Sequence, residues 1–312
     1  MSRMKTIATL TMNPTIDVAY EVGHVIPTHK MRTDQENYDP GGGGINVARV
    51  FVRLGGMARC YYVSGGSTGV ALDSLLDLHQ LVRTRIAIAG HTRISTSVLE
   101  VESGKEYRFV PSGPTLSTEE WQACLDRLAE ADCDYLVISG SLPKGVPDDF
   151  YSRVAAIARP RGIGIVLDTS GPALREGLAG GGIYLVKPSL GELRQLAGHE
   201  LDSTEAIAKA TAEIVRLGQA EYVAVTMGRD GALFAHKGGI TCLPAIAVEA
   251  KSAVGAGDSF LAAMVFAFAS GWEATDAFRF GIAAGAAAVL TPGTGLSRTA
   301  DIQRLYAETA RN

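Results

Sequence analysis

Cysteine, clustered positive charge and long apolar runs are all scarce in this chain, and each scarcity removes a class of function. Only four cysteines occur in 312 residues (Cys60, Cys124, Cys133 and Cys242), scattered and never as a CxxC pair. That pattern argues against a zinc site and reads as reduced thiols of a cytoplasmic protein. Net charge is −4, with no basic block or tail, so nucleic acid and acidic membrane surfaces are not expected partners. The longest apolar stretches, such as residues 260–269, are too short and interrupted to span a bilayer. The opening "MSRMKTIATLTMN" has neither the apolar core nor the cleavage site of a signal peptide. GxxxxGK[ST], HExxH and a GxGxxG after a strand are also missing, which sets aside three common routes to nucleotide or metal chemistry.

What remains is 46% hydrophobic, ample for one large α/β core. Short apolar runs without helical period begin at Thr6, Arg59, Tyr135, Ile163, Ile183 and Tyr222. Their length and Gly/Pro punctuation predict strands buried on both faces. Helical patterns fall between them, at 44–54, 69–79, 118–130, 147–159 and 203–217. Such alternation predicts a central, mostly parallel sheet with helices on both faces. Two partly polar extended segments, at about 17–39 and 93–112, break the rhythm and predict a small side sheet, with a hairpin turn at Ser103-Gly104. No repeat or interdomain linker is evident, so residues 1–312 read as one domain carrying that side sheet.

Two glycine-rich segments hold the chemistry. "SAVGAGDSFLAAMVF" runs a small-residue loop (Gly255, Ala256, Gly257) into a helix, so its N–H groups and the helix dipole can serve one anion. Asp258 at the mouth of that loop suits a base that takes the proton of an alcohol during phosphoryl transfer; a plain helix N-cap is the alternative. "YDPGGGGINVARV" sets four glycines (residues 41–44) before a helix, a backbone on which a polyol can lie with the Asn46 amide reaching its hydroxyls. Asp17 follows the first strand, where ligands of open sheets bind. Lys30, Arg32, Arg93 and Arg108 fall on the two side-sheet segments and can clamp a phosphate. Lys187, Glu192, Thr226 and Gly228 follow strand ends that can line a nucleotide and a metal–water shell. "GGSTG" around Ser67 fits a nucleophile elbow, but such a triad needs a late histidine and the last one is His236.

"GGGGINVARVFVRLGG" and "KSAVGAGDSFLAAM" are similar to the two signatures of the ribokinase-like, or PfkB, carbohydrate kinase family, and the resemblance runs over essentially the whole length. Within it, "KMR", "TRIS", "EYRFVPSG" and "ISGSLPKGV" resemble the minor-type bacterial 6-phosphofructokinase group, and Gly43 stands where the fructose-1-phosphate and tagatose-6-phosphate branch usually has lysine. "TMNPTID" is closer to that other branch. The resemblance implies a Rossmann-like sheet with a small β lid that often forms a homodimer contact. Asp258 matches the catalytic base, and Gly255, Ala256 and Gly257 the anion hole. Asp17, Gly42, Gly43, Asn46 and Ser141 match sugar contacts, and Lys30, Arg32, Arg93 and Arg108 match lid or phosphate-side positions. Lys187, Ser189, Thr226, Gly228, Gly231, Ala284 and Gly285 fall on the nucleotide side. ATP and Mg2+ are implied, with Glu192 reaching the metal through water, and a monovalent cation such as K+ as an addition. Two departures stand out: Ser189 replaces the asparagine of an N-x-x-E motif, and Thr291 stands where the nearest group often has asparagine. The expected activity is phosphorylation of a ketohexose phosphate, fructose 6-phosphate first. Tagatose 6-phosphate, fructose 1-phosphate, another sugar, or a non-catalytic sensor on the same scaffold remain as alternatives.

Overall fold

The computed structural model describes residues 4–33 and 35–309. Its strands are β1 (Ile7–Thr11), β2 (Thr15–Val22), β3 (Glu36–Gly41), β4 (Ala58–Ser64), β5 (Val82–Ala87), β6 (Arg93–Glu100) and β7 (Lys105–Phe109). They continue as β8 (Tyr135–Ser139), β9 (Gly164–Asp168), β10 (Ile183–Val186), β11 (Ala220–Thr226), β12 (Ala232–His236) and β13 (Gly239–Leu243). The helices are α1 (Gly43–Arg53), α2 (Gly66–Leu78), α3 (Thr118–Ala129), α4 (Phe150–Ala158) and α5 (Gly171–Ala179). After them come α6 (Leu190–Ala197), α7 (Thr204–Arg216), α8 (Ala256–Ala269), α9 (Ala274–Val289) and α10 (Thr299–Thr309).

Nine strands form one sheet in the order β13-β12-β11-β10-β9-β8-β1-β4-β5. Every pairing from β5 to β11 is parallel, and the β12–β13 hairpin closes one edge antiparallel. Period-two alternation divides the strands between two cores: Ile7 packs with α1, α2, α8, α9 and α10, while Ala8 and Leu10 pack with α3 to α7. Parallel strands covered on both faces must be apolar throughout, and β1 and β8 are buried at every position. From β1 the chain winds outward in both directions, so a crevice opens beyond the carboxyl ends of β1 and β8.

A second sheet, β3-β2-β6-β7, covers that crevice. Its β6–β7 hairpin turns at Gly104, whose φ of 68° is left-handed and whose N–H bonds the Glu100 carbonyl at 2.8 Å. Helix α8 is buried around most of its surface and lies against α9, where a Cβ on Gly281 would come within 2.7 Å of Met264. Small residues in these two helices therefore serve helix-to-helix approach. The two tryptophans sit elsewhere: Trp121 packs edge-on to Phe150 at 6.2 Å, and Trp272 lies 5.1 Å from Phe280 and 5.7 Å from Tyr306.

Several elements depart from the sequence reading. Helix α2 begins at Gly66 rather than 69, and α4 spans only Phe150–Ala158 within the expected 147–159. Strand β5 escaped notice because it is an edge strand whose arginines, paired with Asp73 and Asp77 of α2, interrupt the apolar run. Helices α5 and α6 are short (9 and 8 residues), which leaves little room for a period to show.

Candidate active site

The glycine run takes β3 into α1 across the crevice. Gly42 is the helix N-cap with φ 108°, a conformation that suits glycine. A Cβ on Gly41 would collide with the Asp17 carboxylate, and one on Gly43 with Ser139 Oγ. On Gly44 it would come within 2.6 Å of the Leu10 carbonyl. The glycines are thus accounted for first by the seating of α1 on the ends of β1 and β8. That seating brings the Asn46 side chain to the first turn of α8, where its Nδ2 donates to Asp258 Oδ2 at 2.9 Å.

Gly255 caps α8 in the left-handed region with φ 72°. The first helical bond is Ser259 N–H to the Gly255 carbonyl at 2.9 Å, so the N–H groups just ahead of it, on Gly257 and Asp258, have no helical acceptor. A Cβ on Gly257 would stand 3.4 Å from Lys187 Nζ. Lys187, buried after β10, pairs with Asp168 at 3.1 Å at the end of β9. Burial opposes the lysine charge, yet Asp168 and then Asp258 hold the ammonium above its ordinary range. For Asp258 burial dominates: with the Asp168 charge it pushes the carboxyl up to about 6, against the pull of the Asn46 amide and Lys187. A carboxylate poised near neutrality beside orphan amides and a buried ammonium can accept an alcohol proton while nearby donors stabilise an anion.

Asp17 opens from β2 into the same space. Burial pushes it up to about 6, opposed by Arg49, Arg93 and Arg108. Opposite it on β3, Asp39 is held down at about 2: burial works against the charge, but His79, Arg49 and Thr294 outweigh it. Arg93 is half-committed already, its Nη1 donating to the Pro111 carbonyl (2.9 Å) and its Nη2 to that of Asn13 (2.8 Å). Asn13 in turn donates to the Ser112 carbonyl at 3.0 Å and reaches Ser141 Oγ at 3.4 Å. Lys30 and Arg32 are exposed in the β2–β3 loop and Arg108 is exposed on β7. Among the described residues, no ion pair ties Lys30 or Arg32 to the crevice.

On the other half, Ser189 and Glu192 form a capping box at the start of α6: Ser189 Oγ accepts from Glu192 N–H, and Glu192 Oε2 accepts from Ser189 N–H at 2.7 Å. Thr226 N–H donates to the Pro188 carbonyl at 3.0 Å, joining that loop to β11. Gly228 and Gly231 shape the next turn, with φ of 61° and 98°. Ala284 is fully buried in the core, so its side chain is closed to any ligand. Its neighbour Gly285 faces the α8 loop instead, where a Cβ would lie 3.5 Å from the Ala256 carbonyl. No cluster of three or more acidic, histidine or cysteine side chains able to cage a metal occurs among the described residues. One oxygen of Glu192 is left uncommitted, which fits a cation carried mostly by phosphates and water. Ser67 is exposed on the first turn of α2, and no histidine hydrogen-bonds it among the described residues. No described helix is long and apolar enough to cross a membrane.

Reasoning from sequence did not single out Asn13, Asp39, Arg49 and Asp168. Asp168 had a visible signal, since it ends the apolar run that begins at Ile163, and Arg49 lies one helical turn from Asn46; Asp17, expected just after the first strand, stands instead inside β2 of the second sheet. Asp39 had none, because its place depends on strand register.

Two glycine-led helix starts facing each other across a lidded crevice define a sugar kinase, and the chain belongs to the pfkB family of carbohydrate kinases, whose family model matches residues 10–301. It has the ribokinase-like α/β fold and is an ATP-dependent kinase of that family. It is similar to ATP-dependent 6-phosphofructokinase isozyme 2 of Mycobacterium tuberculosis, at 43% identity over 96% of this chain and 88% of that one. Phosphofructokinase-2 from Escherichia coli, solved in complex with potassium, matches with a TM-score of 0.95 at 38% identity, covering 99% of this chain and 100% of that one. The same enzyme in complex with fructose 6-phosphate gives 0.93 at 37% identity with the same coverage.

Proposed function

We propose that the protein transfers the terminal phosphoryl group of ATP to the 1-hydroxyl of fructose 6-phosphate, giving fructose 1,6-bisphosphate and ADP in the cytoplasm. The observation that carries this reading is Asp258: a carboxyl pushed up to about 6, fixed by Asn46 and set beside the free amides of α8. Asp258 takes the hydroxyl proton as the new O–P bond forms and the bond to the ADP oxygen breaks. The Gly255, Ala256 and Gly257 loop borders the transferring group, with the Gly257 amide and the neighbouring Asp258 amide free of helical acceptors, and Lys187 neutralises charge on the nucleotide side, since this reaction asks mainly for positioning and charge stabilisation. Asp17, Gly42, Gly43, Asn46 and Ser141 hold the sugar. Arg93 and Arg108, with Lys30 and Arg32, hold the 6-phosphate. Ser189, Thr226, Gly228, Gly231 and Gly285 border the nucleotide.

Magnesium would ride on the ATP phosphates with Glu192 behind its waters, supplying charge neutralisation. A monovalent cation such as K+, the ion in the E. coli relative's complex, enters this reading only as an addition, because Thr291 departs from the asparagine often found at that position. The lid strands, about 17–39 and 93–112, belong to a single kinase domain and exclude water as they close. Their exposed Ile94, Tyr107, Phe109 and Val110 fit a homodimer in which a second copy covers this face.

The test is coupled ADP release with ATP and magnesium on fructose 6-phosphate, tagatose 6-phosphate, fructose 1-phosphate, fructose and ribose. The expected outcome is the highest kcat/KM for fructose 6-phosphate. A 1-phosphate winner would move the substrate to the other branch, and silence across the panel would overturn the catalytic reading.

A further inference from the structure

We propose that Arg49, which lies behind the crevice and faces no open space, is a positioning residue that holds the Asp17–Asp39 carboxylates and the Asn46–Asp258 contact in one geometry. This rests on the function proposed above and adds a residue outside the sugar and nucleotide sets.

Asp17 and Asp39 are directly opposite in the β2–β3 register, so two carboxylates share one face of the lid. Like charges placed so are repulsive unless a cation lies between them. Arg49 supplies it from α1: it is 2% exposed, and its Nη2 pairs with Asp39 while its charge also pulls on Asp17. Its Nη1 donates to the Pro40 carbonyl at 3.0 Å and lies 3.4 Å from Asn46 Oδ1. The second oxygen of Asp39 accepts from Thr294 at 2.7 Å, and His79 Nε2 stands 3.6 Å from the first.

The guanidinium therefore decides which way the Asn46 amide faces. With its oxygen toward Arg49, Asn46 presents N–H to Asp258; flipped, it would set N–H against a cation and oxygen against a carboxylate. One oxygen of Asp258 is thereby occupied and the other left for the substrate hydroxyl. The charges facing Asp17 are Arg49 of α1, Asp39 of β3, Arg93 of β6 and Arg108 of β7, and Asp258 of α8 also feels Asp17. Asp39 faces Arg49, His79 and Arg53.

The experiment compares the pH dependence of kcat/KM in the wild type, Arg49→Met, Arg49→Lys and Asp39→Asn. Removing the cation should move the acid limb up by about one pH unit, a loss of about fivefold in kcat/KM at pH 6, with lysine restoring part of it. Removing the anion should move the limb the other way. Should Arg49→Met fail to fold, Arg49→Lys and Asp39→Asn still decide the sign. Lower activity with an unmoved limb, or shifts in the same direction for both charges, would reduce Arg49 to a strut and overturn the proposal. A wild type inactive on every sugar would sink the proposed function instead. In that case the melting temperature of the same variants from pH 5 to 8, read without substrate, still tests the opposite shifts.

Discussion

Replacing Asp258 by asparagine should disable the enzyme and make it more stable. The carboxyl is pushed up from 3.8 to about 6, so the folded state binds its proton more tightly than the unfolded chain does. A raised acid pKa means stability is greatest below the unfolded value and falls as pH rises through the folded one. Above that range, a shift of this size corresponds to at most about 3 kcal/mol of destabilisation by the ionised group. The carboxylate is half-buried and attracted by Lys187, an attraction that asparagine forgoes, so a realised gain of about 1–2 kcal/mol is expected, or a Tm rise of roughly 2–4 °C at pH 7.5. Asparagine can still accept from Asn46, so sugar binding should persist. Turnover should fall by about 10²–10⁴, the usual worth of a general base. Differential scanning fluorimetry at pH 7.5 and 4.5, beside coupled ADP release, tests both halves. The thermal gain should shrink at the lower pH, where the wild-type carboxyl is already protonated. Near-normal kcat would refute the base, and a lower Tm at pH 7.5 would refute the electrostatic reasoning.

Gly43→Ala should cost about 1–3 kcal/mol of stability and raise KM for the sugar, because its Cβ collides with Ser139 Oγ; the double change with Ser139→Gly should recover much of both, and a harmless single variant would mean α1 is not seated as described. Ser189→Ala should remove half of a capping box, worth about 1 kcal/mol in thermal or urea unfolding, while KM for ATP stays within about twofold. A large rise in that KM at unchanged stability would instead make Ser189 a nucleotide ligand.

Much of the architecture was legible because it rests on local patterns. Parallel strands buried on both faces must be apolar runs, and "YLVIS" or "IATLT" can scarcely be anything else in an α/β chain. Edge elements were not legible, since β5 carries arginines that pair with the α2 aspartates and break the apolar pattern. In the site, Asp258 and Asn46 announced themselves through glycine loops that precede helices. Lys187 was singled out while its partner Asp168 was not, although Asp168 ends an apolar run, because their pairing is made across neighbouring strands and shows in neither segment. The glycines mislead in part: the run at 41–44 reads as a bed for ligand, yet the chain's own Asp17, Ser139 and Leu10 occupy the directions in which side chains would grow. Ala284 shows the opposite error, where matching a motif ignored which side of α9 each residue takes.

The two tryptophans have a practical consequence for anyone following this enzyme by light. Trp121 packs on Phe150 beneath α3, and Trp272 rests against Phe280 and Tyr306 at the far end of α9, so neither belongs to the four lid strands. Intrinsic emission excited at the red edge will report melting of the two cores and stay nearly blind to the lid closure proposed above. A fluorophore watching that motion has to be introduced, and Val101, 58% exposed in the β6–β7 turn and outside the apolar face assigned to the homodimer, offers a place to put one.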